Sequence, residues 1–207
     1  MEIPLAGGFP EHAFDGFFAD SRCSLGAVDQ EKNICIIVAE SRQESILRTY
    51  LCNLKSGKIE EIYGSPFGGL PLAHNADYSK IVLAEGYMVG DVILYLWEKD
   101  QGLKLLYGKP LKERKEGEEV QLTAFGSGFF TDDDKGLVIG NALFQDTYGL
   151  GYMPLDDPYS IQEVSVNGLI HTGVGEFEGL EKLDNGRFLL QYNIDGVSWV
   201  YEAKYIP

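Results

Sequence analysis

Four short segments of this 207-residue chain share one form, Asp-x-x-Lys/Arg followed by an apolar run. They are Asp29 to Lys32, Asp77 to Lys80, Asp132 to Lys135 and Asp184 to Arg187, so their first residues stand 48, 55 and 52 positions apart. Asp and Asn side chains bond nearby backbone N–H groups and tolerate turn conformations. The runs that follow, Ile34 to Ala39, Ile81 to Ala84, Leu137 to Ile139 and Phe188 to Tyr192, are too short for typical helices. Continuous apolar runs of this length read as strands covered on both faces. A second landmark follows each Lys/Arg by 14 to 18 residues: Thr49-Tyr50-Leu51, Leu94 to Trp97, Gly151-Tyr152-Met153 and Trp199-Val200-Tyr201. In the first three units another turn and another extended segment follow: Lys58 to Tyr63, Leu103 to Tyr107 and Tyr159 to Val166.

Four short strands in about 50 residues is the arithmetic of a propeller blade. A single blade cannot bury both of its faces, so neighbouring units must stack, with aromatics filling the wedge between them. The fold class expected is all-β, a β-propeller of about four blades of four antiparallel strands. It forms a single domain over residues 1–207 or part of a larger propeller, with units at about 21–65, 66–108, 121–167 and 176–207. The competing arrangement is a β-sandwich with a chance recurrence of the turn. The fourth unit lacks its last strand, so either the N-terminal residues complete it or the propeller is longer. Lys109 to Val120, with its mixed charges, reads as a solvated connection, and Pro10 to Asp20 as a lead-in able to hold a short helix. With 25 Gly, 12 Tyr and 11 Phe, the composition suits short strands joined by tight turns.

Charge narrows the functions. With 17 Lys+Arg against 32 Asp+Glu, the net charge of −15 disfavours phosphate backbones and anionic membrane surfaces. The expectation is no nucleic-acid partner and no membrane partner. No apolar stretch approaches 18 residues, and Met1-Glu2-Ile3-Pro4 does not open a signal peptide. The three cysteines, Cys23, Cys35 and Cys52, are an odd number without a CxxC, so no disulfide framework or zinc ribbon is indicated. Cys35, inside an apolar run, reads as a buried free thiol. These features point to the cytoplasm.

The turns resemble the Ser-Pro-Asp-Gly-Lys turn of the N-terminal propeller of the prolyl oligopeptidase family of serine peptidases, including its acylaminoacyl- and dipeptidyl-peptidase branches. Leu183 to Phe188 and Phe130 to Gly136 are worn versions of it. Asp146 to Asp156 is similar to the family's strand leading to a Leu-Asp turn, and Asn193-Ile194-Asp195-Gly196-Val197-Ser198 to its Asn-x-Asp-Gly-x-Ser hairpin. The resemblance covers roughly Cys23 to Tyr201. TolB-like propellers share the Asp-Gly-Lys turn, and the Pro of the family motif is absent from every unit here. The resemblance implies an accessory propeller that screens peptide substrates for an α/β-hydrolase domain, which this chain does not contain.

The family's nucleophile sits in a Gly-x-Ser-x-Gly elbow; this sequence has none, and Gly126-Ser127-Gly128 has the wrong spacing. His12, His74 and His171 are far apart and lack metal-ligand spacing. His74, near Asp77 and Ser79, reads as a histidine bonding a turn, and His171, grouped with Glu176, likewise. Asp132-Asp133-Asp134 offers hard oxygens for calcium but lacks the spacing of an EF-hand loop. No phosphate-binding loop is present. No catalytic, metal or cofactor residue is therefore assigned, and no cofactor is expected. Two further readings stand beside the peptidase propeller: a stand-alone scaffold binding a protein or peptide partner, and a lactonase-like propeller with an axial metal. For the last, the innermost strands offer Leu25, Gly26, Leu72, Ala73, Gly128 and Leu180, with His74 and Glu181 as the suitable groups.

Overall fold

The computed structural model describes residues 13–183 and 186–206. The chain is all-β, a β-propeller assembled from antiparallel up-and-down meanders. Three have four strands and the last has three among the described residues. The chain divides into two compact units, Met1–Pro71 and Leu72–Pro207.

The first unit holds β1 (Ser21–Asp29), β2 (Ile34–Ser41), β3 (Leu47–Asn53) and β4 (Ile59–Ser65), paired in that order. The Asp29 carboxylate accepts Lys32 N at 2.9 Å and Lys32 Nζ at 2.6 Å, which closes the first repeat turn on itself. Cys35, Ile37 and Ala39 of β2 share one face with Tyr50 and Cys52 of β3. Phe14 and Phe18 pack over that face. The short helix expected over residues 10–20 is a single 3-10 turn, Phe14–Gly16, and Pro10 lies outside the described residues. Asp15 at φ 51 breaks helical geometry inside it, so no longer helix propagates.

In the second unit, β5 (Gly68–His74, which begins before the boundary), β6 (Lys80–Met88), β7 (Asp91–Glu98) and β8 (Gly102–Tyr107) form one sheet. A second sheet contains β9 (Gly128–Phe130), β10 (Gly136–Asn141), β11 (Gly149–Pro154) and β12 (Gln162–Val164). The last contains β13 (Gly175–Lys182), β14 (Phe188–Ile194) and β15 (Val197–Ala203). Side chains alternate across a strand, so β10 serves two cores. Leu137 and Ile139 pack with Leu94, Leu96, Phe130 and Met153. Val138 faces the other way, with Phe129, Leu150, Phe188 and Leu190. Each such aliphatic, fully removed from water, contributes about 1.5–3 kcal/mol. Gly136 at the head of β10 leaves room for the Tyr152 ring, which a Cβ there would overlap.

The repeat turns do different work in different units. Asn75 is 2% exposed and donates to Asp134 Oδ2 at 2.9 Å, while Lys80 Nζ donates to Asp134 O at 3.0 Å. The second turn thus ties directly to the third. In the fourth turn, Asp184 and Asn185 lie outside the described residues.

Two expectations need correction. The strand expected over Tyr159 to Val166 is only Gln162–Val164, because Pro158 starts a 3-10 turn, Pro158–Ser160. Tyr159 instead reaches back, its hydroxyl accepting from Gly108 N at 3.1 Å and donating to Gly108 O at 3.2 Å. The charged run after β8 is not wholly solvated. Arg114 turns inward, and its guanidinium donates to both Asp91 oxygens at 2.5 and 2.9 Å and through Nε to Lys109 O at 2.8 Å. It lies 4.6 Å above the Tyr87 ring, whose hydroxyl donates to the buried Glu85 carboxylate.

Candidate functional site

The sheets β9–β12 and β13–β15 face each other across apolar packing that does not fill the space between them. A cavity of about 410 Å³ opens there, lined by Phe129, Val138, Leu150 and Val164 on one side and Leu180, Phe188, Leu190 and Tyr201 on the other. It shares Leu150, Val164 and Leu169 with a 250 Å³ pocket that adds Gln145, Tyr148, His171 and Tyr192. It shares Phe129, Phe188 and Tyr205 with an 840 Å³ recess bounded by Asp132, Asp133, Lys182 and Lys204. The three adjoin through these shared residues, with the His171 end the most polar.

The sequence creates this space through what it withholds. The outer strand β12 is three residues long, and among the described residues no strand pairs with the outer edge of β15. Along β15, alternation places Trp199, Tyr201 and Ala203 on the face that β14 presents through Tyr192, Leu190 and Phe188. That face borders the cleft. Burial pushes the Tyr192 hydroxyl above its usual pKa, helped by Tyr201, and burial does the same to Tyr205. These phenols are neutral donors over the whole physiological range.

His171 stands at the polar end. Its Nδ1 lies 2.7 Å from the Tyr201 hydroxyl, and its backbone N donates to the same oxygen at 3.2 Å. Its ring sits 5.2 Å from Tyr192 and 6.0 Å from Trp199. Glu176 does not join it: Glu176 pairs with Asn193, and alternation turns both away from the cleft face that carries Phe177 and Tyr192.

The other candidates resolve as structural groups. Ser127 Oγ accepts Leu180 N at 3.0 Å, a tie between β13 and the entry to β9. His74 stacks on Tyr78 at 4.2 Å, and its Nδ1 lies 3.1 Å from Asn75 O, an acceptor, so Nδ1 carries the proton and the ring bonds the turn. The three aspartates of the third turn do not converge. Asp132 lies 3.8 Å from Lys182 Nζ, Asp133 accepts from Thr131 Oγ1 at 2.7 Å, and Asp134 accepts from Asn75. Among the described residues no three His, Cys, Asp or Glu side chains cluster as a metal would require. Glu181 is exposed on β13, and His12 lies outside the described residues. No described helix is long and apolar enough to cross a membrane.

Sequence reasoning missed the cleft residues Tyr192, Tyr201 and Tyr205. The aromatic strand Trp199-Val200-Tyr201 was legible as the filler of a wedge between blades. Its alternation with Ala203 was the signal that one face of β15 lines a space.

No family model matches the sequence, and no curated protein matches it. Among solved structures the chain is similar to TolB from Acinetobacter baumannii, with a TM-score of 0.48 and 12% identity over 85% of this chain and 42% of that one. It is also similar to an uncharacterized protein from Listeria monocytogenes EGD-e, with a TM-score of 0.49 and 10% identity over 89% of this chain and 66% of that one. A third similar structure comes from a study of two prolyl endopeptidases, with a TM-score of 0.45 and 10% identity over 88% of this chain and 34% of that one. The chain thus spans less than half of the TolB and prolyl endopeptidase chains it matches.

Proposed function

We propose that this chain is a non-catalytic β-propeller module that binds an extended peptide segment as a fourth strand on β15. The observation that carries the reading is the coincidence of an edge and a cleft. β15 has an outer edge without a strand among the described residues, and one of its faces borders the cleft. A peptide hydrogen-bonded to that edge points every second side chain to the same face as Trp199 and Tyr201. Backbone pairing then supplies affinity, and the apolar cleft selects the alternate side chains. The role suits a substrate-screening propeller of a prolyl oligopeptidase-like serine peptidase, with hydrolysis carried out by a separate α/β-hydrolase domain. A scaffold capturing a partner protein's peptide would use the same edge.

The test is fluorescence polarisation with a labelled seven-residue peptide of alternating Val and Thr. Binding is expected, weakened about tenfold by Tyr201→Ala and abolished by N-methylation of alternate peptide amides. Equal binding of the N-methylated peptide would refute strand addition. Binding that appears only after residues 1–12 are removed would assign the edge to the chain's own N-terminal segment.

A further inference from the structure

All three cysteines of the chain lie in the first sheet, and two of them are direct cross-strand partners. Cys35 of β2 is opposite Cys52 of β3. Both are free, and they are 2% and 1% exposed. As direct partners they project to the same face and pack in the same buried cluster, each close enough to influence the other's thiol. Directly opposite residues of an antiparallel pair have Cα atoms about 4.5–5.5 Å apart. That separation lies within the window a disulfide needs, roughly 4.4–6.8 Å.

We infer that Cys35 and Cys52 are a dithiol modification site, converted to an intramolecular cross-strand disulfide by hydrogen peroxide. The balance is simple. One thiolate sulfur attacks the peroxide, the O–O bond breaks, and a sulfenic acid and water form. The partner sulfur then attacks that sulfur, the S–O bond breaks, an S–S bond forms and a second water leaves. Two thiols are oxidised and one peroxide is reduced.

The surroundings set the rate. Phe14 and Phe18 pack over the pair's cluster, and Phe17 and Phe18 meet the Tyr50 ring edge-on at 5.7 and 5.3 Å. Burial pushes the Cys52 thiol up to about 12, and burial raises Cys35 as well, so little thiolate exists while the cover is closed. Oxidation therefore waits on local opening of the aromatic cover. Cys23 is a separate group. It is exposed on β1 opposite Ala39, four residues along β2 from Cys35, roughly 13 Å at strand rise. It is the cross-strand partner of neither buried cysteine, and it serves as an internal reference for peroxide reaching the protein.

The experiment treats the full chain with hydrogen peroxide, quenches in acid, denatures, alkylates and maps peptides. Three alkylated cysteines are expected before treatment. After it, Cys35 and Cys52 should appear in one linked peptide that has lost two hydrogens. In a Cys23→Ser background the free thiol count should fall from two to zero without a dimer band on non-reducing gels. Phe18→Ala should accelerate that loss several-fold. Cys35→Ser should leave Cys52 unable to close the bridge, with an oxidised or free thiol in its place. The proposal is overturned if Cys35 and Cys52 both remain alkylatable after Cys23 is fully oxidised. Separate sulfinic acids on the two residues, or bridges only between chains, overturn it equally.

Discussion

Replacing Arg114 with Ala removes the cation from a pair that is almost fully dry. The side chains of Arg114 and Asp91 are 8% and 4% exposed. The single change leaves the Asp91 carboxylate without its two guanidinium hydrogen bonds, and also leaves Lys109 O without the Nε donor. Breaking a buried pair from one side costs about 3–5 kcal/mol, mostly as the penalty on the orphaned charge. For a chain of this size each kcal/mol lowers Tm by about 2–4 °C, so the loss should be about 6–20 °C. Arg114→Lys keeps the charge but not the fork, and should fall between the variant and the parent. The double variant Asp91→Asn/Arg114→Met removes both charges and should recover much of the loss. The contrast is Lys58→Ala, whose partner is Glu60 at 3.1 Å with both side chains largely in solvent. That pair should be worth less than about 1 kcal/mol. The assay is urea unfolding followed by Trp fluorescence, with scanning calorimetry for Tm. An Arg114→Ala loss below about 1 kcal/mol would refute the reasoning that burial governs this pair.

Other consequences are checked more briefly. Gly136→Ala should destabilise the chain by about 1–3 kcal/mol in the same assay, because the added methyl overlaps the Tyr152 ring and displaces it from its packing. Asn75→Ala should cost about 1–3 kcal/mol, since it unsatisfies Lys80 N and removes a donor from Asp134 and Ser79. Acid should loosen the repeat turns. Hydrogen bonds chiefly from Lys32 to Asp29, from Ser79 to Asp77 and from Thr131 to Asp133 hold these carboxyls below their usual range. Their contribution is complete above the unfolded-state value and is lost as pH falls through the lower folded-state values, so Tm should drop below about pH 4. Asp77→Asn should flatten part of that slope.

The blades were readable because two independent periods agreed. Turn chemistry at Asp29 and Asp77 placed the first two hairpins; in the third the bonding carboxylate is Asp133, one residue after the Asp132 that the pattern singled out. Apolar runs such as Ile81 to Ala84 identified strands covered on both faces. The aromatic landmarks fell on β3, β7, β11 and β15. Features that depend on long-range meetings were not readable. Nothing local distinguishes Arg114 from Lys112 or Lys115 in the charged run; only the position of Asp91, 23 residues earlier, turns it inward. The retreat of β12 depended on Pro158 and on the reach of Tyr159 back to Gly108. The cleft was hidden for a related reason: a void is a property of two facing sheets, and Tyr201 or Phe188 alone reads as ordinary core.

The second and third repeat turns share Asp134 as a common fastening, whereas the first closes on its own lysine. Positions that align perfectly among the units are therefore unequal in what they can tolerate. A lysine lost at residue 32 loosens a local bend, but the equivalent loss at residue 80 unpicks a seam between neighbouring leaves. Drift among such copies is then constrained by where each one stands, and a consensus sequence averaged over the four would erase the stitching that makes them a set.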